Sequence, residues 1–402
     1  MPVGPIFRAM AHNKTRVVLI VLEIAVTLAI VTNCVNMILE ERRQMNRPSG
    51  FDDDNLVWFR SRPFAPEFKE PKYVDNSVAA DMRTVAAIPG VRSVANTNFL
   101  PWAGGGSSTM IKVAGDKGPG NRTQIYYFSG DLFNTLGNHI VQGRAFVPGD
   151  YDYDQQNGTP KSIIISRKLA DLLFPKGNAL SQQLDSGDGN GVTVVGIVDP
   201  FYNPYGWPIH EYVVFAPSTV GSYNRGTRFL VRVTPGAMQQ VTAEIEKQLL
   251  RTNHGRVIEV TTINETKERY FTGGRIVVRA MTGVIALLIF VTALGIIGIT
   301  SLSVAERTKQ IGTRRALGAT RGDILRHFLL ENWMVTTAGL LLGVAATYGL
   351  NFLLVTHVSG VKMDWRFVVV GMALLWINGL VATIPPAMRG ASVSPAVATR
   401  SV

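Results

Sequence analysis

The chain has 402 residues, of which 46% are hydrophobic and only 17% charged, a departure from globular averages in opposite directions that argues for membrane segments. Its formal net charge is +11, so the position of the excess cations has to be explained before any polyanionic partner is invoked. The single cysteine, Cys34, excludes both a disulfide framework and a cysteine-rich zinc site.

A basic N-terminal segment (residues 1–16, with Arg8, Lys14 and Arg16) precedes a 23-residue apolar run, Val17 to Leu39, whose one charge is Glu23. At 1.5 Å per residue this run crosses ~30 Å of hydrocarbon. It exceeds the apolar region of a signal peptide, and Glu40-Glu41-Arg42-Arg43 stands where a cleavage site would need small residues, so it is expected to be a retained anchor. Glu23 is the one carboxylate inside a span. Such a charge faces protein or water, and its role is open between an interhelix contact and conduction.

Residues 40–279 form one soluble domain with 27 basic and 24 acidic residues. Two stretches share a strand, helix, strand layout. The first takes Asn55 to Phe59, a helix around Ser77 to Ala87, and Val91 to Phe99; the second takes Arg228 to Val233, a helix around Pro235 to Leu250, and Val257 to Thr262. Between them, from about Phe146 to Tyr223, lies a Gly-, Pro-, Asp- and Asn-rich segment with apolar runs at Ser162 to Ile165, Val192 to Val198 and Tyr212 to Phe215. It reads as a mainly β insertion with a short helix at Ser166 to Phe174. Residues 36–46 and 265–279 are expected to extend the first and second spans into water as a helical stalk.

Three further apolar runs follow, Ala280 to Val304, Asn332 to Val355 and Phe367 to Ile384, none carrying a charge. Pro385-Pro386 should stop or kink the last one. The loop between the second and third spans, residues 305–327, holds Arg307, Lys309, Arg314, Arg315, Arg321 and Arg326 against Glu306 and Asp323. The positive-inside rule places it, and both termini, in the cytoplasm. The cytoplasmic pieces then carry most of the net charge, so the basic composition reports topology and not nucleic acid. The six histidines show no paired ligand spacing, and no Walker A sequence is present. Neither a metal, a catalytic residue nor a resident cofactor is expected.

The loop itself is punctuated. Glu306 stands near the start of a polar helix and Arg314 and Arg315 near its end, with the signs a helix dipole favours. Gly318 suits a left-handed stop, and Thr320 with Asp323 resembles a capping box for a second helix that runs into the third span.

The stretch Glu306-Arg307-Thr308-Lys309-Gln310-Ile311-Gly312-Thr313-Arg314-Arg315-Ala316-Leu317-Gly318-Ala319 resembles the signature of the FtsX-like permease domain found in MacB, LolC/LolE and related transporters. Pro386-Ala387-Met388-Arg389-Gly390-Ala391 with Ser394-Pro395-Ala396 is similar to that family's closing pattern, Gly390 standing where alanine is usual. Phe128 to Gly137, Gly143 to Phe146, Ile164 to Ala170, Leu173 to Pro175 and Val195 to Val198 are similar to the MacB-type periplasmic domain.

The resemblance implies an α-helical membrane protein with four transmembrane helices and a large α+β extracytoplasmic domain. Its porter-like βαβ subdomain would occupy about 47–145 and 224–264, with a sabre-like, mainly β insertion at about 146–223, and the FtsX-like domain would cover 280–402. It implies a non-catalytic permease of the bacterial inner membrane, working as a dimer with a second copy or a paralogue. ATP would be bound by a separate ABC ATPase, and the other expected partners are membrane lipids and, for an efflux role, a periplasmic adaptor and an outer-membrane factor.

The ATPase-coupling residues would be Glu306, Arg307, Lys309, Gln310, Ile311, Arg314, Ala316, Leu317, Gly318 and Ala319, with Glu306 and Arg307 facing the ATPase. The expected activity is outward movement of a periplasmic peptide, toxin, antibiotic or lipid-linked molecule. A lipoprotein-extracting permease or a regulator of cell-wall hydrolases shares the same loop, and a membrane-tethered sensory or binding module is a third reading.

Overall fold

A computed structural model describes residues 14–103, 106–153, 158–186, 191–199, 211–221, 226–357 and 362–394. Arg8 and the closing Pro395-Ala396 lie outside the described residues. The chain divides into two compact units, one formed by Met1–Asn46 with Gly274–Val402 and the other by Arg47–Gly273.

The chain enters through α1 (Lys14–Met45), an unbroken 32-residue helix without glycine or proline. At 1.5 Å per residue it is ~48 Å long, more than hydrocarbon alone requires, so both ends reach polar surroundings. Arg42 and Arg43 occupy its last turn, where cations match the helix dipole.

The second unit is built on strands β1 (Leu56–Pro63), β2 (Val91–Thr97), β3 (Ser108–Val113), β4 (Asn121–Gly130), β5 (Ile140–Gly143), β6 (Ser162–Ser166), β7 (Gln183–Asp185), β8 (Gly191–Val198), β9 (Val213–Pro217), β10 (Thr227–Val233) and β11 (Arg256–Thr262). Its helices are α2 (Pro71–Ala86), α3 (Leu132–Leu136), α4 (Arg167–Leu173), α5 (Met238–Thr252) and α6 (Ile263–Tyr270).

One sheet runs in the order β11-β1-β10-β2-β4-β3-β7-β8-β6-β9, and β9 returns to pair with β4. The first four strands are mutually antiparallel and carry α2 and α5 over one face. The helices turn matching stripes inward, Val74, Val78 and Val85 on α2 and Val241, Ile245 and Leu249 on α5, each one or two turns apart. They meet Val57, Phe59, Phe229 and Val231, and the rings of Phe59 and Phe229, paired across β1 and β10, stack at 4.4 Å. The Asp81–Arg256 ion pair, almost fully buried, is also satisfied by the Leu249 carbonyl.

The remaining strands close a ring, β4-β3-β7-β8-β6-β9, with a core of its own drawn from Ile163, Ile165, Leu184, Val194 and Val214. Ile111 of β3 and Ile125 of β4 belong to this core as well. The insertion expected over 146–223 therefore does not fold from that segment alone: strands before residue 146 complete it, because six strands close a ring that four leave with open edges.

The stalk also differs from expectation on its second arm. The helix breaks at Phe271, between α6 and the helix that begins at Thr272. A capping box of Thr262 and Glu265 opens α6, Thr266 accepts a 2.7 Å hydrogen bond from the Trp58 indole, and Lys267 pairs with Asp53 at 2.6 Å. Residues 263–270 are thereby fixed to the sheet.

In the first unit α1 is joined by α7 (Thr272–Glu306), α8 (Thr308–Ala316), α9 (Arg321–His357) and α10 (Trp365–Ala391). Helices α1, α7, α9 and α10 are long and apolar enough to cross a membrane. Close approach is set by small residues. A methyl group on Gly339 would lie 2.8 Å from Ile24 Cβ, and one on Gly343 would lie 3.0 Å from Leu28 Cδ2, so this glycine pair, four residues apart, seats α9 on α1.

Interhelix hydrogen bonds add register: Thr27 with Thr292 at 3.0 Å, Thr32 with Thr347 at 3.3 Å, and Asn351 donating to Asn33 at 3.1 Å. Pro385 and Pro386 do not end α10, which continues to Ala391. The amide donors lost there are tolerated inside a packed spanning helix, where neighbouring groups satisfy what is freed.

Candidate coupling site

The loop of residues 305–327 folds as a short helix, a tight turn and the start of α9. Helix α8 closes in a Schellman arrangement, with Ala319 N–H donating to the Arg314 carbonyl at 3.0 Å and Gly318 N–H to the Arg315 carbonyl at 3.1 Å. Gly318 has φ +100°, a conformation that strains any side chain. Two residues on, Asp323 N–H donates to Thr320 Oγ1 at 3.2 Å while Asp323 accepts from the Thr320 amide at 3.0 Å, and α9 begins.

Glu306 does not open the polar helix. It is the last residue of α7, and α8 begins at Thr308. The reason is continuity of backbone bonding: Arg307 N–H still donates to Ser303, so the spanning helix runs two residues beyond its apolar stretch.

From that corner two ion pairs reach other helices. Arg16 of α1 meets Glu306 at 2.8 Å, and Arg307 grips Glu331 of α9 through two bonds of 2.8 and 3.1 Å. A third tie leaves the far end of α8, where Arg315 donates to the carbonyls of Ala391 and Val393 at 2.9 Å each. Ile311 fills the space beneath, packed with Val304, Ile324, Phe328 and Ala387.

Helix α8 thus has two faces. Ile311 and Arg315, one turn apart, hold it against the bundle. Lys309, Gln310, Arg314, Ala316, Leu317 and Gly318 are exposed, and Leu317 at the tip is 84% exposed. Glu306 is half-exposed beside Arg16, Ala319 is half-buried, and Arg307 is turned inward on Glu331.

Sequence reading missed Arg16, Glu331 and Arg315 as parts of the site. Only Arg315 left a signal, since it follows Ile311 by four residues and so shares its face. Glu23 stands apart from this cluster, wedged against Gly295 of α7, where an added methyl would come 2.6 Å from its Oε2. Among the described residues no group of three His, Cys, Asp or Glu is placed to hold a metal.

The arrangement suits force transfer. The nine-residue helix is followed by a bare leucine, and ties from Arg307 just before it and Arg315 near its end reach α9 and the end of α10, so a load on its tip has a path to both.

Comparison with known proteins agrees with this anatomy. The family described as MacB-like periplasmic core domain matches residues 17–248, and that described as FtsX-like permease C-terminal matches residues 282–395. The uncharacterized ABC transporter permease YknZ of Bacillus subtilis is 29% identical over 65% of this chain and 66% of its own length. The macrolide export ATP-binding/permease protein MacB of a Shewanella species is 24% identical over 96% of this chain and 58% of its own.

The periplasmic region of MacB from Actinobacillus actinomycetemcomitans, a solved structure, aligns over 57% of this chain and 98% of its own at 14% identity, with a TM-score of 0.35. The chain spans between 41% and 66% of the length of the first curated relatives it matches. The chain belongs to the MacB-like family of ABC transporter permeases, with a MacB-like periplasmic core domain followed by an FtsX-like permease domain.

Proposed function

We propose that the chain is a mechanotransmitting permease: α8 docks on an ABC ATPase, and its ties to α9 and α10, with the Arg16–Glu306 pair joining α1 to the end of α7, carry the nucleotide-driven movement across the membrane to the domain formed by residues 47–273. The observation that carries this reading is Leu317, an exposed leucine at the tip of a helix whose opposite face is fully engaged. Burying this leucine against a partner would remove its apolar surface from water, a gain of about 1.5–3 kcal/mol.

In this reading the loop faces the cytoplasm, as its basic residues require. The chain itself performs no hydrolysis, and ATP is held by the ATPase. A second copy or a paralogue covers α7, of whose most apolar stretch only 11% is buried within this chain. The cargo is a periplasmic peptide, toxin, antibiotic or lipid-linked molecule, delivered outward toward an adaptor and an outer-membrane duct.

Leu317→Asp tests the docking. Glycine at 318 already fixes the turn, so the substitution leaves the fold alone while placing a charge in the expected contact. Capture of the ATPase should fall by about tenfold or more, the equivalent of ~1.4 kcal/mol or more. Undiminished capture with ATP-driven transport intact would remove α8 as the docking element.

A further inference from the structure

We propose that the cleft between α8 and the first turns of α9 is a binding site for a phosphate group, carried by an inner-leaflet lipid headgroup or by a free phosphate. Arg307, Gln310, Ile311 and Arg314 recur at i, i+3, i+4 and i+7 and so share one face along α8. Ile324, His327 and Phe328 share one face of α9 in the same way. The two faces enclose a cavity of about 90 Å³, several times the ~10–15 Å³ that one water molecule requires. Ile311, Ile324 and Phe328 pack together as its floor, while Gln310 and Arg314 are exposed at its rim and His327 is half-buried.

The cations around this space differ in what they already hold. Arg307 is committed to Glu331, and Arg315, next to Arg314 in sequence, to the carbonyls of Ala391 and Val393. The side chains of Arg314, Gln310 and His327 make no hydrogen bond or ion pair among the described residues. A guanidinium, an amide and an imidazole therefore open onto one cavity from two helices. No Asp or Glu is among the lining residues, and Glu331, one turn beyond His327, is held by Arg307. Burial pushes the His327 imidazole below its ordinary value, and Arg314 and Arg307 push the same way against Glu331, so a negative ligand would relieve the site.

A phosphate suits these donors. Its oxygens accept from several directions at once, and an arginine fork meets two of them in parallel. A carboxylate has two oxygens, so one that engages the Arg314 fork leaves less for Gln310 and His327. His327 stands five residues before the uncharged run that opens at Asn332, about 7.5 Å along the helix, which is headgroup level when the loop faces the cytoplasm. Leu317 takes no part in the cleft, so the site stands or falls separately from ATPase docking.

The test is calorimetric titration of the full chain in dodecylmaltoside with dioctanoyl phosphatidylglycerol, with inorganic phosphate, and with dioctanoylglycerol, which lacks the phosphate. One saturable equivalent per chain is expected from a phosphate-bearing ligand and none from dioctanoylglycerol. Saturation by phosphatidylglycerol alone assigns the group to a lipid, and comparable saturation by inorganic phosphate assigns it to a free phosphate. Arg314→Gln should weaken this binding by about tenfold and His327→Gln by about threefold. Arg321→Gln, the same loss of charge outside the cleft, should leave it within about twofold.

The ligand series needs no variant and decides the matter even if Arg314→Gln fails to fold. Equal uptake of dioctanoylglycerol, or no saturable binding of either phosphate, would overturn the site. Equal weakening by Arg314→Gln and Arg321→Gln would overturn it as well, since that is the diffuse attraction of a basic loop.

Discussion

Arg307 and Glu331 exchange two hydrogen bonds with both side chains more than four-fifths buried, so neither charge is free to rehydrate if the other is removed. Arg307→Ala should cost about 2–3 kcal/mol by leaving Glu331 uncompensated. Paired replacement by Met and Leu should recover part of that, as read from thermal unfolding in detergent; equal losses in the single and double variants would contradict the pairing.

Sequence alone assigned Arg307 to the ATPase-facing side because it was read, with Glu306, as opening the polar helix, and its partner lies 24 positions away on another helix. Burial pushes the Asp150 carboxyl up, but this is outweighed by Arg144, the Val147 amide and Ser162, which hold it at about 2. Since that lies below the unfolded value of about 3.9, the associated stability is present above pH ~3.9 and is lost as pH falls through about 2. Asp150→Asn should therefore flatten the fall in melting temperature over that interval. An unchanged acid profile would show that the carboxylate is not held as described.

At the scale of elements, the spanning helices were legible because long uncharged runs have few other uses, and the two strand-helix-strand halves because each helix repeats its apolar stripe. Strands β3 and β4 were not read as such. Met110 is exposed between Thr109 and Ile111, and β4 carries buried Thr123 and Gln124 beside Ile125, which blurs the alternation that marks a strand. The break at Phe271 was equally hidden, since α6 is fixed by Trp58 and Asp53, more than 200 positions earlier.

Helix α9 meets α1 through Gly339 and Gly343, whose spacing is visible in sequence but whose partner helix is not. Gly339→Val would drive a branched side chain into Ile24 and the Val21 carbonyl, and overpacking of this kind costs about 1–3 kcal/mol. The same change at Gly349, where nothing lies within 4 Å, should be nearly neutral. Equal melting temperatures for the two variants would argue against the α1–α9 contact.

For the molecule as a whole, the account rests on what meets the outward face of α8, which is exposed among the described residues. The most direct measurement places a photo-crosslinking amino acid at Leu317, and at Val284 of α7 as a comparison within a spanning helix, in the full chain within native membranes. The account predicts that position 317 captures a protein carrying a Walker A sequence, that position 284 does not, and that Arg315→Ala leaves this capture in place while stopping ATP-driven transport. Crosslinks from position 317 to lipid alone would contradict it.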